Sequence, residues 1–244
     1  MVDSINYAKL IQYALLANKK LLQDNLPEHF VLFKPKDIVS GDFYWATKKE
    51  NAFYLAVCDS TGHGVPGAFM SLLNISFLNE AITEKNISAP NEILNHVRKQ
   101  LIEKTDGRND GMDAVLLKFE NINNEIKIQY AAANNEPLLI RNNKVIPLPK
   151  DKMPVGKGEK TDSFTLQTMD IEKGDLLYFF TDGYVDQFGG HKGKKFKYKQ
   201  LEELLLTHHD KSLTEQKEIL NTSFSNWKGN LEQVDDILFI GIRI

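Results

Sequence analysis

The stretch FYLAVCDSTGHG, residues 53–64, passes from an apolar run into a glycine loop that begins with a carboxylate. Its aromatic and aliphatic residues predict a buried strand over 53–58. Gly62 and Gly64 predict a tight turn, because glycine tolerates backbone angles that other residues avoid. Just upstream, Val39-Ser40-Gly41-Asp42-Phe43 places a second aspartate beside a glycine at a predicted strand end.

Two further aspartates lie in similar settings much later in the chain. Asp182 belongs to Phe180-Thr181-Asp182-Gly183, and Asp235-Asp236 precedes the apolar run 237–240. A single aspartate after a strand is usually a turn former or a helix cap. Four such strand ends, without a Cys or His set at ligand spacing, indicate a hard-cation site of oxygen ligands. Such a site can activate water without a protein nucleophile.

The hydrophobic patterns along the chain predict one α+β domain whose sheets are covered by helices. A helix without Gly or Pro is predicted over about 4–22, and Asn25-Leu26-Pro27 ends it. Further helices are predicted over 66–83, 89–104, 198–207 and 213–227. Strands are predicted over 30–33, 43–45, 53–58, 114–119, 126–132, 138–141, 144–147, 163–169, 175–181 and 236–244, with Asn142-Asn143 as a hairpin turn.

The composition excludes several classes of protein. A net charge of −3 gives no electrostatic reason to expect nucleic acid as a partner. Cys58 is the only cysteine, so no internal disulfide can form, and we expect a buried strand thiol in a reducing compartment. Gly64 stands six positions after Cys58, where a tyrosine-phosphatase loop needs arginine. No apolar run approaches the length of a membrane span, so we expect a cytoplasmic protein without direct membrane insertion.

A lysine-rich stretch near residue 195 has two interpretations. It is either a solvated loop or a contact surface for a substrate or partner. Aromatic residues at 196 and 198 interrupt the run of Lys192, Lys194, Lys195, Lys197 and Lys199.

Five segments occur in the order typical of a known family. The segments are 34–45, 59–71, 131–138, 180–183 and 235–238. On these motifs the chain, from about Phe30 to Ile244, resembles the bacterial stage-II-sporulation-protein-E-type serine/threonine phosphatases. That group is a branch of the metal-dependent protein phosphatase 2C superfamily.

The resemblance implies a four-layer αββα sandwich, in which two antiparallel sheets packed face to face are flanked by helices. It also implies hydrolysis of phosphoserine or phosphothreonine on a protein, dependent on two Mn²⁺ or Mg²⁺ ions. By residue match, Asp59 bridges the two ions and Ser60 contributes its backbone carbonyl. Asp182 and Asp235 bind one ion, and Asp42 holds the site directly or through water. A bridging water held by Asp59 and Asp42 attacks in line, without a phosphoenzyme.

Two departures from the family pattern concern the substrate side of the site. Relatives carry a histidine where this chain has Thr61, so a catalytic role for His63 is the weaker expectation, and a loop-structuring role is favoured. The phosphate-binding arginine that relatives have upstream of Asp42 is missing. Lys34 or Lys36 is the candidate replacement.

Other departures concern residues around the predicted metal ligands. Asn134 replaces a histidine and Glu136 a proline of the mid-domain motif. Asp113 either binds a third, weaker ion or caps its strand. Asp236 follows the predicted ligand Asp235. Because side chains alternate along a strand, that of Asp236 should point away from the metal site, so we expect a structural role.

The resemblance also bears on partners and domain organisation. It implies a phosphoprotein substrate, such as an anti-sigma-factor antagonist, and possible fusion to a sensor. Residues 1–26 are predicted to be a regulatory or linker helix and residues 27–244 the phosphatase domain. The helix either packs on the domain or mediates homodimerisation as a short coiled coil. The alternative function is a catalytically silent phosphoprotein-binding module, whereas four arginines and acidic charge disfavour a nuclease.

Overall fold

Two antiparallel sheets form the centre of the computed structural model, which describes residues 2–105, 110–122, 125–160 and 162–244. The first sheet has the order β1-β13-β10-β6-β7, and the second has the order β2-β3-β4-β5-β9, with β8 beside β4. The strands of the first sheet are β1 (Glu28–Lys34), β6 (Leu138–Arg141), β7 (Lys144–Pro147), β10 (Leu176–Phe180) and β13 (Ile237–Arg243). Those of the second are β2 (Asp42–Lys49), β3 (Ala52–Ser60), β4 (Gly111–Ile122), β5 (Glu125–Ala133), β8 (Val155–Gly156) and β9 (Gln167–Met169).

Helices cover the outer face of each sheet. The second sheet is covered by α3 (Gly64–Asn79), which continues into a π-helical turn (Glu80–Glu84), and by α4 (Pro90–Lys104). The first sheet is covered by α6 (Tyr198–Thr207) and α7 (Leu213–Lys228), and the short α5 (Gly183–Asp186) follows β10. The N-terminal segment forms α1 (Val2–Leu15) and α2 (Lys19–Asn25).

Strand alternation explains why the central strands are apolar on both faces. Leu55 and Val57 of β3 pack between the sheets, in the same buried cluster as Leu177 and Phe179 of β10. Their neighbours along each strand point outward: Cys58, for example, is buried against the side that α3 and α4 cover. Because both faces are covered, nearly every strand position is apolar. The predicted four-layer αββα sandwich and the buried Cys58 thiol are therefore confirmed.

Most predicted elements are confirmed, including the helices over 66–83, 89–104 and 198–207. Residues 64–84 form a continuous helical segment that is long and apolar enough to span a membrane, but half of its most apolar window is buried inside the protein. This burial is typical of the core helix of a soluble protein, which matches its packing against the second sheet.

The prediction of one continuous helix over 4–22 was wrong. The chain leaves the helix after Leu15 because Leu16 and Ala17 enter the cores, and the Ala17 amide donates to the Tyr44 carbonyl oxygen at 3.2 Å. A new helix then begins at Asn18, whose side chain accepts a hydrogen bond from the Leu21 amide at 2.8 Å. The asparagine capping preference is the signal that could have shown this break.

Two details of the β-structure also matter. Asn142 and Asn143 have φ angles of 51° and 57°, as the predicted hairpin turn requires. The strand predicted over 163–169 is confined to 167–169, since Thr165 is bound by the Asp151 carboxylate instead. A hairpin of β11 (Phe188–Gly189) and β12 (Lys194–Lys195) in the lysine-rich stretch was not predicted.

Candidate metal centre

Three aspartates form a row across the ends of three neighbouring strands. In the register of the second sheet, Asp42 of β2 is opposite Asp59 of β3, and Asp59 is opposite Asp113 of β4. Residues directly opposite in antiparallel strands share a face, with Cβ atoms about 5 Å apart. The row therefore places Asp59 between two other carboxylates.

The first sheet brings two more aspartates to the same edge. Asp182 follows β10, and Asp235 precedes β13, which is paired with β10. The two loops are in close contact at Gly183, where a Cβ atom would clash with the Asp236 carbonyl and lie 3.3 Å from Asp235 Cβ. Glycine is thus required at position 183 to hold Asp182 beside Asp235.

Thr181 links the two sheets at this edge, a role that was not predicted. Its hydroxyl donates to Asp42 Oδ2 at 2.6 Å and accepts from the Leu238 amide at 3.0 Å. Both contacts are buried, so Thr181 fixes the Asp42 carboxylate relative to β13. A hydroxyl residue directly before the Asp182-Gly183 motif was the signal available in the sequence.

The glycine loop after Asp59 is held by close backbone contacts. Gly62 has a φ of +86°, and Cβ atoms at Gly41 or Gly67 would clash with its carbonyl oxygen. Thr61 fastens the loop to β4, because its hydroxyl accepts from the Gly111 amide at 3.0 Å and its amide donates to the Gly111 carbonyl at 2.9 Å. Thr61, where relatives have a histidine, is therefore a structural residue of this loop.

Ser60 is buried beside this loop. Its hydroxyl accepts a hydrogen bond from Asn74 Nδ2 of α3 at 3.0 Å. The metal role predicted for Ser60 involves its backbone carbonyl, so this side-chain contact is compatible with it and anchors the residue to α3.

Burial and mutual repulsion raise the pKa values of the carboxyls in the row. Burial raises the pKa of Asp42 well above its usual range, and Asp59 raises it further, whereas the hydrogen bond from Thr181 lowers it. Burial likewise raises the pKa of Asp59, and the charges of Asp182, Asp235 and Asp113 add to the effect. Negative charge is therefore concentrated at this edge without enough positive charge to balance it.

The flanking carboxyls respond in the same way. Burial, and then Asp186, Asp235 and Asp113, raise the pKa of Asp182 to about 6. Burial also raises the pKa of Asp113, while the hydrogen bond from Asn134 Nδ2, at 2.8 Å, and the charge of Lys150 lower it. Asn134, in the place of the family's histidine, thus holds Asp113.

The donor set suits hard divalent cations, because every predicted side-chain ligand is a carboxylate and the site is short of positive charge. In the described ranges, however, no three His, Cys, Asp or Glu side chains form a ready ion-binding group. Asp42 Oδ2 is instead engaged by the Thr181 hydroxyl at 2.6 Å. The residues fit divalent ions by chemistry and position, and their side chains would have to reorient to bind them.

Lys34 and His63, two residues predicted on the substrate side of the site, lie in different parts of the structure. Lys34 is directed at α7, where its Nζ donates to Asn221 Oδ1 at 2.8 Å and lies over the Phe224 ring. The structure therefore does not bring Lys34 to the carboxylate row. His63 is half exposed, with its Nδ1 3.0 Å from Asp37 Oδ2 and its Nε2 3.3 Å from Lys36 Nζ. His63 thus structures the loop before α3, together with Lys36.

The structural role expected for Asp236 is confirmed. Its carboxylate accepts from the Lys36 amide at 2.7 Å and from the Gly41 amide at 2.8 Å. Asp236 thereby ties the loop before Asp42 to the start of β13.

The comparisons with known proteins agree with this architecture. The family model for stage II sporulation protein E (SpoIIE) matches residues 49–244. The phosphoserine phosphatase RsbU of Bacillus subtilis (strain 168) is 23% identical over 188 residues, which are 75% of this chain and 54% of RsbU. The chain therefore spans about half the length of that relative.

Two solved structures share the fold. The SiaA PP2C domain of Pseudomonas aeruginosa is 29% identical with a TM-score of 0.89, covering 99% of this chain and 96% of that one. RsbX in complex with magnesium is 15% identical with a TM-score of 0.60, covering 88% and 94%. The matched family, the shared fold and the carboxylate edge between two sheets lead to one conclusion: this chain belongs to the SpoIIE family of PP2C-type phosphatases.

Proposed function

We propose that the protein is a metal-dependent protein serine/threonine phosphatase that acts on a bacterial signalling phosphoprotein. The observation that carries this proposal is the meeting of five aspartates from two sheets at one buried edge. Two supporting points are the family membership of the chain and the use of divalent metal ions by PP2C-family phosphatases.

In this proposal the carboxylate edge holds two Mn²⁺ or Mg²⁺ ions. Asp59, the middle member of the row, would contact both, with Ser60 contributing its carbonyl and Asp182 and Asp235 completing one site. Asp42 would act directly or through water, and Asp113 is the candidate for a third ion. When bound, the ions would supply an activated water and neutralise charge on the phosphoryl group.

The protein's own residues would orient the reaction. Thr181 holds the Asp42 carboxylate, and Asn134 holds Asp113, so the two ends of the row are fixed before substrate arrives. Water would attack phosphorus in line, forming a new P–O bond as the bond to the serine oxygen breaks. The proton that the water loses would be balanced by one gained by the serine oxygen, so serine and inorganic phosphate are released. His63 is paired with Asp37 at the exposed rim, so it is assigned at most a minor role.

The regulatory setting is also proposed. The substrate in this proposal is a phosphoprotein of a cytoplasmic signalling pathway, such as an anti-sigma-factor antagonist, and the domain would be fused to or controlled by a sensor. The similarity to RsbU, a phosphoserine phosphatase, supports phosphoserine as the group that is hydrolysed. Residues 1–26 would form the control segment and residues 27–244 the phosphatase domain. Six large apolar side chains of α1 are exposed, among them Tyr7 (67%), Leu10 (66%) and Ile11 (47%), which supports homodimerisation through α1.

The test is phosphate release from p-nitrophenyl phosphate and from a phosphoserine peptide, measured with Mn²⁺ or with EDTA. The wild type should be active only with metal, and Asp59→Asn should lower kcat at least about a thousandfold, since the middle ligand is lost. Asp210→Asn, the same change at an exposed site, should be fully active. Calorimetric Mn²⁺ binding without turnover on either substrate would instead assign the silent phosphoprotein-binding alternative.

A further inference from the structure

The hairpin of β11 and β12 brings a lysine next to the metal edge. Lys195 Nζ lies 2.7 Å from Asp186 Oδ2. Asp186 ends α5, and its amide donates to the Asp182 carbonyl oxygen at 2.9 Å. Lys195 therefore stands within one helical turn of a predicted metal ligand.

A second lysine stands on the Asp113 side of the same edge. Lys150 Nζ is 3.9 Å from Glu136 Oε2. The next residue, Asp151, accepts the Asn134 amide at 2.8 Å, and Asn134 in turn binds Asp113. Lys150 is close enough to lower the pKa of Asp113.

Tyr198 lies beside the same edge. It begins α6, and its ring contacts Phe180, just before Asp182, at a centroid distance of 6.0 Å. Burial raises its pKa to about 12, so the hydroxyl is a neutral donor at physiological pH. The charges of four carboxylates contribute to this raised pKa: Asp182, Glu136, Asp186 and Asp113. Asp186 and Glu136, which pair with Lys195 and Lys150, are thus among the carboxylates whose charges act on Tyr198, and we name Lys150, Lys195 and Tyr198 the lysine-flanked face.

Charge balance shows what this face is suited to bind. Five carboxylates meet at the edge, so positive charge from the protein would help the bound ions to hold a phosphoryl dianion there. Lys34 is engaged by α7, and Lys36 is next to His63. Among the described residues, Lys195 acts on Asp182 and Lys150 on Asp113, so both lysines lie on the Asp113–Asp182 side.

We propose that Lys195 and Lys150 bind the phosphoryl group of a phosphoserine side chain from either side and hold it over the carboxylate edge. This inference rests on the proposed function. Both lysines are in partly exposed ion pairs, which contribute little, so exchanging a carboxylate for phosphate costs little. The new charge-assisted hydrogen bonds to phosphate are stronger than the pairs they replace. Tyr198 can donate a third hydrogen bond to the same group.

The test is binding of a fluorescein-labelled peptide that carries a non-hydrolysable phosphonate analogue of phosphoserine, followed by anisotropy in Mn²⁺ buffer. Lys195→Gln and Lys150→Gln should each weaken binding about tenfold, and the serine version of the peptide should show no such loss. Lys194→Gln is the matched control, because its side chain lies on the opposite face of the hairpin, and it should change affinity less than about twofold.

The variant Asp186→Asn distinguishes a phosphate-binding role of Lys195 from a role in stabilising α5. It frees Lys195, so affinity should be kept or increased; a loss equal to that of Lys195→Gln would make the lysine merely structural and overturn the proposal. Equal losses in Lys194→Gln would also overturn it, as would a loss in Lys36→Gln alone. Because the analogue is not hydrolysed, this result does not depend on turnover, and an inactive protein would refute only the proposed function.

Discussion

Removing one carboxyl from the metal edge should stabilise the metal-free protein. The pKa of Asp182 is about 6 in the folded protein, against an ordinary value of 3.8. A carboxyl with a raised pKa binds its proton more tightly when folded, so stability falls as pH rises from about 4 to about 6 and then levels off. A difference of about two pH units corresponds to about 3 kcal/mol, and partial exposure of the side chain reduces this to about 1–2 kcal/mol.

Asp182→Asn should therefore raise the free energy of unfolding by about 1–2 kcal/mol at pH 8 in EDTA, or the Tm by roughly 3–6 °C. At pH 4 most of this difference should disappear, because the wild-type carboxyl is then protonated in the folded state and partly protonated in the unfolded state, where its pKa is 3.8. Urea denaturation at both pH values measures the difference, with Asp210→Asn as the exposed control.

Bound metal should make the wild type more stable than Asp182→Asn. Saturating Mn²⁺ stabilises whichever protein binds it, so the wild type should gain more than Asp182→Asn. A variant that is less stable than the wild type in EDTA at pH 8, or one whose advantage persists undiminished at pH 4, would refute the electrostatic reasoning.

Two other changes probe the contacts around the site. Thr181→Val removes the donor to Asp42 and leaves the buried Leu238 amide unpaired, so its free energy of unfolding in urea should fall by about 1–3 kcal/mol. Thr181→Ser keeps the hydroxyl and should retain most of the wild-type stability. Leu10→Glu places a charge on the exposed apolar face of α1 and should shift a dimer to monomer in analytical ultracentrifugation, while Lys9→Glu, a charge change at the neighbouring position, should not. A monomeric wild type would contradict the proposed dimer.

The apolar periodicities of the sequence were sufficient to predict one α+β domain with helix-covered sheets, whereas the four-layer sandwich was implied by the resemblance to a known family. The strand-end pattern also picked out Asp42, Asp59, Asp182 and Asp235, whereas Asp113 was noticed only through the resemblance to the family. The sequence could not show that β2, β3 and β4 align three of them in one row, because register depends on pairing between distant segments.

Other features depend on tertiary contacts that no local pattern reveals. The break at residues 16–18 arises from burial of Leu16 and Ala17, which overrides a helical pattern without Gly or Pro. Lys34 was a reasonable candidate by position, yet the direction of its side chain follows from α7 lying over β1. Lys195 reaches the metal edge only because an unpredicted hairpin folds back onto α5.

The most direct test of the central claim is anomalous scattering from crystals grown with Mn²⁺. Two peaks roughly 4 Å apart are expected at the carboxylate edge, with the Asp59 carboxylate between them and Asp182 and Asp235 on one ion. Peaks elsewhere, for example beside His63, or an edge that stays empty at saturating Mn²⁺, would contradict the account.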